Sequence, residues 1–254
     1  MIVRITNYDS VSYSMIALGA VALLLSMPSS SYVLAFIGLG LVFWGTLFLY
    51  LRPTKYVKLE LLNAASSSTL NNIERILTTA KTNQKGIYLP PKNLQDHTSS
   101  LVFIPTKPNQ PLPTSAETAP QKLQSKNPAG LFITPPGLAL SKLFEKELKR
   151  PFTETTFESL QKRLPQLFEE LQITKNLSLT SQANTVTVTA SNHIFKDLSE
   201  ETRKLEKTQY TVGSHIASAL ACVFAQATGK PVTIEKEEAT PEGDTTIQYK
   251  ILEN

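Results

Sequence analysis

The sequence predicts an α+β (α/β) domain of antiparallel strands and packed helices, cytoplasmic and preceded by an N-terminal transmembrane helical hairpin. Three observations predict it. No charged residue lies between Val11 and Leu51, and that stretch holds two long apolar runs. Beyond it, apolar residues recur at helical spacing in some segments and alternate at period two in others. A proline-rich stretch, 105–128, carries neither pattern and separates the start of the soluble domain, 59–104, from its main part, 129–254.

The apolar runs are Val11–Met27 and Tyr32–Leu51. A helix crosses roughly 30 Å of hydrocarbon with about 20 apolar residues and a minimum near 17, so both runs qualify. Pro28-Ser-Ser-Ser31 between them predicts a tight reversal, because proline cannot continue the ladder and serine bonds its own backbone. Tyr13, Tyr32 and Tyr50 lie near the ends of the runs, where amphipathic rings favour the interface, and Trp44 lies deeper. Arg4 precedes the first run, Arg52, Lys55 and Lys58 come after the second, and the connecting loop is uncharged. That bias predicts a multi-pass protein of the plasma membrane with both termini cytoplasmic, residues 1–58 forming the anchor and the lipid bilayer its first partner. The rival reading, a cleaved signal peptide followed by one anchor, fits Arg4 but finds no Ala-x-Ala-like site before the serines.

Charge narrows the partners. Residues 1–58 hold four basic residues and one acidic, so they carry +3 of the net +4 and leave +1 for the rest. The basic character is juxtamembrane, and nucleic-acid recognition, which needs a basic face on the soluble part, is not predicted. One cysteine in the chain forms no internal disulfide.

Along the soluble part, Leu70, Ile73, Leu77 and Ala80 predict an amphipathic helix within 64–81. Gly86–Leu89 and Leu101–Ile104, bounded by prolines, predict two strands. Six of the 24 residues from Pro105 to Pro128 are proline and most others are polar, which predicts a flexible excursion. Gly130–Ile133 reads as a strand, and Leu140, Phe144 and Leu148 as a helix stopped by Pro151. Thr155 and Glu158 have capping-box spacing ahead of a helix whose buried stripe is Phe157, Leu160, Leu164, Leu167, Phe168 and Leu171, with Pro165 set to kink or divide it. Leu177–Thr180 and Thr185–Thr189 predict a hairpin with one threonine face and one aliphatic face. A charged segment, Lys196–Lys207, precedes an alanine-rich helix that ends at Gly229. Pro231–Glu235 and Thr245–Ile251 predict two further strands around a Pro241–Asp244 turn.

Candidate reactive residues are few. Cys222, mid-helix among alanines, reads as a small core residue, since a reactive thiol needs nearby positive charge or a helix N-terminus. His215, in the first turn of the same helix, reads as neutral, because protonation beside the positive end of the helix dipole is unfavourable. His97, His193, His215 and Cys222 offer no close ligand pair for zinc. Glu235, Glu237, Glu238, Glu242 and Asp244 bind a hard cation only if they converge, and the alternation of Glu235 and Glu237 with Ile234 and Lys236 predicts a solvated strand face instead. Glycine-rich phosphate loops, nucleophile elbows and metalloprotease signatures are absent from the sequence. No catalytic residue, cofactor or metal is therefore predicted.

From Phe157 to Leu252 the element order and the phrase "ALACVFAQATGKPVTIEKEEATPEGD" resemble the vinyl-reductase-type, or hydrocarbon-binding, domain related to trafficking-complex subunits. Ile234, Glu238, Gly243 and Asp244 stand where that family has its strand, the acidic residue near the strand end and a Gly-Asp turn. Ala239 and Ile247 occupy places where its members often carry cysteines, so the resemblance implies no thiol or metal chemistry here. The whole layout is also similar to uncharacterised archaeal membrane proteins with a two-helix anchor. Two function classes result. One is a non-catalytic, tethered module, possible as a homo-oligomer, that binds a partner protein or a small apolar ligand. The other is an enzyme or enzyme subunit acting near lipid. An apolar pocket or exposed patch favours the first, and titratable groups converging in a cleft favour the second.

Overall fold

The computed structural model describes residues 6–50, 59–94, 100–108, 110–113, 124–126, 128–174, 176–240 and 243–253. The chain divides into two compact units, residues 1–58 and 59–254.

In the first unit, α1 (Thr6–Ser29) and α2 (Tyr32–Tyr50) pack against each other antiparallel. Glycines set the closeness of that packing. A β-carbon on Gly19 would stand 2.7 Å from the Gly38 carbonyl oxygen, one on Gly38 would stand 2.8 Å from that of Gly19, and one on Gly45 would stand 3.0 Å from that of Ser12. Small residues at a seam with large apolar ones outward, among them Leu24, Phe36, Phe43 and Trp44, is how helices associate in lipid, where burial of apolar surface gives no driving force. Both helices are long and apolar enough to cross a membrane. The reversal is tighter than predicted. Pro28 and Ser29 remain in the last turn of α1, where the Ser29 hydroxyl donates to the Leu25 carbonyl at 2.7 Å. The turn itself is Ser30 and Ser31, with Ser30 at φ 47° and the Ser31 hydroxyl accepting from the Leu34 N–H.

The second unit is an eight-stranded antiparallel sheet with helices packed on one face. Its strands are β1 (Ile87–Leu89), β2 (Leu101–Pro105), β3 (Gln124–Lys126), β4 (Ala129–Ile133), β5 (Asn176–Gln182), β6 (Thr185–Ser191), β7 (Val232–Ala239) and β8 (Thr245–Ile251). Their spatial order is β3-β4-β2-β1-β7-β8-β6-β5. Helices α3 (Leu59–Ala80), α4 (Leu138–Leu148), α5 (Phe157–Glu170), α6 (Lys196–Arg203), α7 (Glu206–Val212) and α8 (His215–Thr228) complete the unit. Tyr88, Val102, Ile104, Val186, Val188, Val232, Ile234, Ile247 and Tyr249 project from the sheet into one core, which the helices close with Leu70, Leu77, Phe144, Leu164, Phe168 and nearly all of α8. Phe103, Phe132, Leu89 and Leu94 form a smaller cluster of their own.

Several elements depart from their predicted form for local reasons. The cap of α5 is Thr156, not Thr155: the Thr155 hydroxyl donates to the Pro151 carbonyl at 3.0 Å and closes the preceding 3-10 turn, so Thr156 accepts from the Ser159 N–H. Helix α5 continues through Pro165 undivided. The charged segment 196–207 forms α6 and the start of α7, whose buried side is made by Leu198, Ser199, Thr202, Thr208 and Thr211. Within the proline-rich stretch, Gln124–Lys126 pairs with β4 as a strand, while residues 109, 114–123 and 127 lie outside the described residues.

Candidate functional site

Helix α8 is the centre of the unit, and its small residues allow a near approach. The α4 N-terminus sits directly on it: the Gly137 N–H donates to the Ser218 hydroxyl at 3.1 Å, and a β-carbon on Gly137 would lie 2.1 Å from the Ala219 nitrogen. Across the helix, the Tyr249 hydroxyl donates to the Ala217 carbonyl at 3.1 Å and the Tyr88 hydroxyl to the Val212 carbonyl at 2.6 Å. Burial raises both phenols well above their ordinary range. These are structural hydroxyls, each satisfying a carbonyl at the α7–α8 junction.

Strand β7 carries the feature that sequence alternation missed. Ile234 pairs with Tyr249, but Lys236 pairs with Gln248, so Glu235 is an extra residue in the ladder. A bulge of one residue reverses the parity of every later position in its strand. Glu237 thereby joins Ile234 and Ile247 on the helix side instead of lying on a solvated face, which corrects the prediction for it. There its carboxylate accepts from the Ser214 N–H at 2.9 Å and the Gln209 side-chain amide at 3.0 Å, at the positive end of α8. Gly213, at φ 65°, brings the backbone up to this carboxylate. Glu74 of α3 does the same for α7, accepting from the Thr208 N–H and hydroxyl, both at 2.7 Å. Glu235 keeps the solvated position predicted for it, 3.5 Å from Lys250, and Glu238 pairs with Lys236 at 2.7 Å. Asp244 begins the return to β8 through a turn in which Gly243 has φ 94°. The acidic cluster thus disperses over separate partners, and among the described residues no three His, Cys, Asp or Glu side chains are placed to hold a metal. His97 and Glu242 lie outside the described residues.

The bulge also shapes a groove. Strand β1 is short and pairs with β7 only at Val232 and Thr233, so beyond Thr233 that side of β7 meets no strand among the described residues. Lys85 takes up the freed carbonyls: its ammonium donates to Ile234 at 2.9 Å and Glu235 at 2.6 Å, and it sits 4.9 Å from the centre of the Tyr210 ring. Burial lowers the Lys85 pKa against the pull of Glu235. Around this point opens a groove of about 810 Å³ lined by Lys85, Tyr210, Thr233, Lys236, Gln248 and Leu112, among others.

The remaining predicted residues lie elsewhere. Cys222 is fully buried in α8, where desolvation raises its thiol pKa. His215 occupies the first turn of α8 as expected, and burial lowers its pKa. His193 is buried before α6 with Nε2 3.1 Å from the Thr245 hydroxyl, and burial, then the Arg203 charge, lowers its pKa to about 4. A histidine of ordinary pKa 6.5 in the unfolded chain binds protons there that the folded state refuses. The stabilising effect of neutral His193 is therefore complete above pH 6.5 and lost as pH falls toward 4. The urea midpoint of wild type should fall over that window by more than that of His193→Gln, and identical slopes for the two would show that His193 is not the titrating group.

An apolar helix pair and an α+β unit whose helices cover one face of an eight-stranded antiparallel sheet define the class of protein. The chain belongs to the family described as Domain of unknown function (DUF7982), whose model matches residues 2–251. No curated protein and no solved structure matches the chain.

Proposed function

We propose that this chain is a non-catalytic, membrane-anchored binding module whose α+β unit works at the cytoplasmic face of the plasma membrane and holds an extended segment of a partner protein. One observation carries the reading: beyond Thr233 the side of β7 meets no strand among the described residues and borders a groove of about 810 Å³. With the Ile234 and Glu235 carbonyls held by Lys85, an added strand would use the backbone groups of β7 beyond Glu235, and flanking pockets then choose its side chains. Lys236, Glu235 and Gln248 give the groove polar partners suited to a polypeptide more than to a hydrocarbon. The titratable groups nearby are committed to the fold, Glu237 to the α8 N-terminus and Lys85 to the bulge, which supports binding over catalysis. The two apolar helices and the basic residues flanking them support the anchor and its orientation, with both termini cytoplasmic.

Photocrosslinking tests this in cells expressing the full chain. A photoreactive residue at Gln248 should give discrete protein adducts that vanish when Tyr210→Ala and Lys236→Glu are added, whereas one at the exposed Glu154 should not give them. Equal adducts from the two positions, or none from Gln248, reject the groove as the binding site. A cysteine at Ser30 should react with a membrane-impermeant reagent on intact cells and one at Glu253 should not; the reverse pattern rejects the orientation.

A further inference from the structure

Part of the wall of the β7 groove comes from neither strand nor helix. Gln110 and Leu112, from the proline-rich stretch, line it together with Ile87, Thr233 and Gln248. The strand neighbours of those last three, Tyr88, Val232, Ile234, Ile247 and Tyr249, point into the helix-covered core, so Ile87, Thr233 and Gln248 point to the opposite face. The groove therefore reaches onto the face that the helices leave uncovered. Gln110 and Leu112 are half-buried and Pro111 between them is exposed, which sets the two groove-lining side chains apart from their neighbour. Pro111 and Pro113 have no N–H, so this wall contributes side chains instead of a paired strand. Their fixed φ also leaves the wall little freedom to lose when a ligand arrives.

The chemistry of the lining is specific. The Gln110 side-chain carbonyl oxygen, Oε1, is buried and accepts no hydrogen bond among the described residues. An acceptor in that condition gains from any N–H brought to it, because leaving it unpaired costs the desolvation of the group. Leu112, Ile87, Pro105 and Leu252 supply the apolar lining. The charges, by contrast, are answered within the chain. Lys236 pairs with Glu238 at 2.7 Å, Glu235 lies 3.5 Å from Lys250, Glu253 accepts from the Asn184 amide at 3.2 Å, and Lys85 holds two backbone carbonyls. Such a lining asks for a donor and an apolar side chain, not for an ion.

We propose that Gln110 and Leu112 select what the groove accepts: a neutral, extended polypeptide segment that lays an aliphatic side chain against Leu112 and brings an N–H to the Gln110 carbonyl. The inference rests on the reading of the groove as a polypeptide site and adds its sequence preference.

The test uses terminally blocked, fluorescent heptapeptides, Ser-Thr-Ser-Xaa-Ser-Thr-Ser with leucine, lysine or aspartate at Xaa, added to the full chain in detergent and read by anisotropy. The leucine peptide should bind about tenfold or more tightly than the other two, and Leu112→Ser should erase that preference. Gln110→Met keeps the length of the side chain but removes the acceptor, and should weaken the leucine peptide about tenfold. Gln110→Glu keeps an acceptor and should bind it as wild type does. Unchanged circular dichroism shows that the variants fold. Leucine-peptide binding indifferent to both Leu112→Ser and Gln110→Met overturns this inference while leaving the groove as the binding site. Absence of peptide binding, with the Gln248 photoadducts still formed in cells, rejects the stated preference alone, and absence of both rejects the groove as well.

Discussion

Replacing Gly137 with alanine is expected to destabilise the α+β unit more than any other single-methyl change in it. The added β-carbon would meet the Ala219 nitrogen at 2.1 Å, the His215 carbonyl oxygen at 2.5 Å and the Ala219 α-carbon at 2.6 Å. Every one of these atoms is backbone of α8, so no side chain can rotate away. Gly137 has φ −88°, which alanine adopts freely, and the effect is therefore one of space alone. Relief requires α4 to lift from α8, which breaks the bond from the Gly137 N–H to Ser218 and loosens Phe144 from the core. Overpacking ordinarily costs about 1–3 kcal/mol, and a clash with helix backbone that cannot rotate away places this substitution at about 3 kcal/mol or above, against a domain stability of about 5–15 kcal/mol. Urea denaturation followed by circular dichroism should show a midpoint far below wild type. Ser218→Ala, which removes only the hydrogen-bond acceptor, should lower stability by about 1 kcal/mol. A Gly137→Ala midpoint equal to that of wild type would mean that α4 and α8 are not in contact as described.

How much of this was legible in the sequence depends on the range over which each signal acts. Local patterns carried through: the period-two alternation of Leu177, Leu179, Val186 and Val188 forms the buried face of β5 and β6, and Gly229 ends α8 in the left-handed conformation at φ 61°. The small side chains of α8 signalled that another element comes near, although not which one. Features decided between segments distant in sequence did not carry through. The bulge at Glu235 leaves no mark in an alternating string, yet it carries Glu237 to a helix terminus 23 residues away. Glu74 finds α7 at a separation of 134 residues, which no helical period announces. The cap of α5 moved by one position because Thr155 had a second acceptor within reach, a competition that spacing alone does not resolve. Lys85 was invisible for the same reason: its partners are two backbone carbonyls 149 and 150 residues on, freed only because β1 is short.

Cys222 poses the remaining demand, because its two substitutions act on the same site by different physics. The thiol is fully buried in the middle of α8, a stretch in which Leu220, Ala221, Val223 and Phe224 are buried as well. Cys222→Ala removes one sulfur from this interior and is expected to lower stability by about 1 kcal/mol, leaving binding unchanged. Cys222→Asp is expected to prevent folding of the unit. Its carboxylate would enter a region where burial already raises the thiol pKa, and an unpaired buried carboxylate costs several kcal/mol, enough to consume most of a domain stability of about 5–15 kcal/mol. The same two facts, burial and a thiol held in its protonated form, govern the native side chain's reactivity, since the thiolate is the nucleophile. A water-soluble alkylating agent should label wild-type Cys222 slowly in buffer and rapidly only once urea passes the unfolding midpoint, with labelling and circular dichroism changing together. Rapid labelling of the folded protein would require α8 to open on its own, and would make Cys222 a reactive group instead of the core residue that its neighbours define.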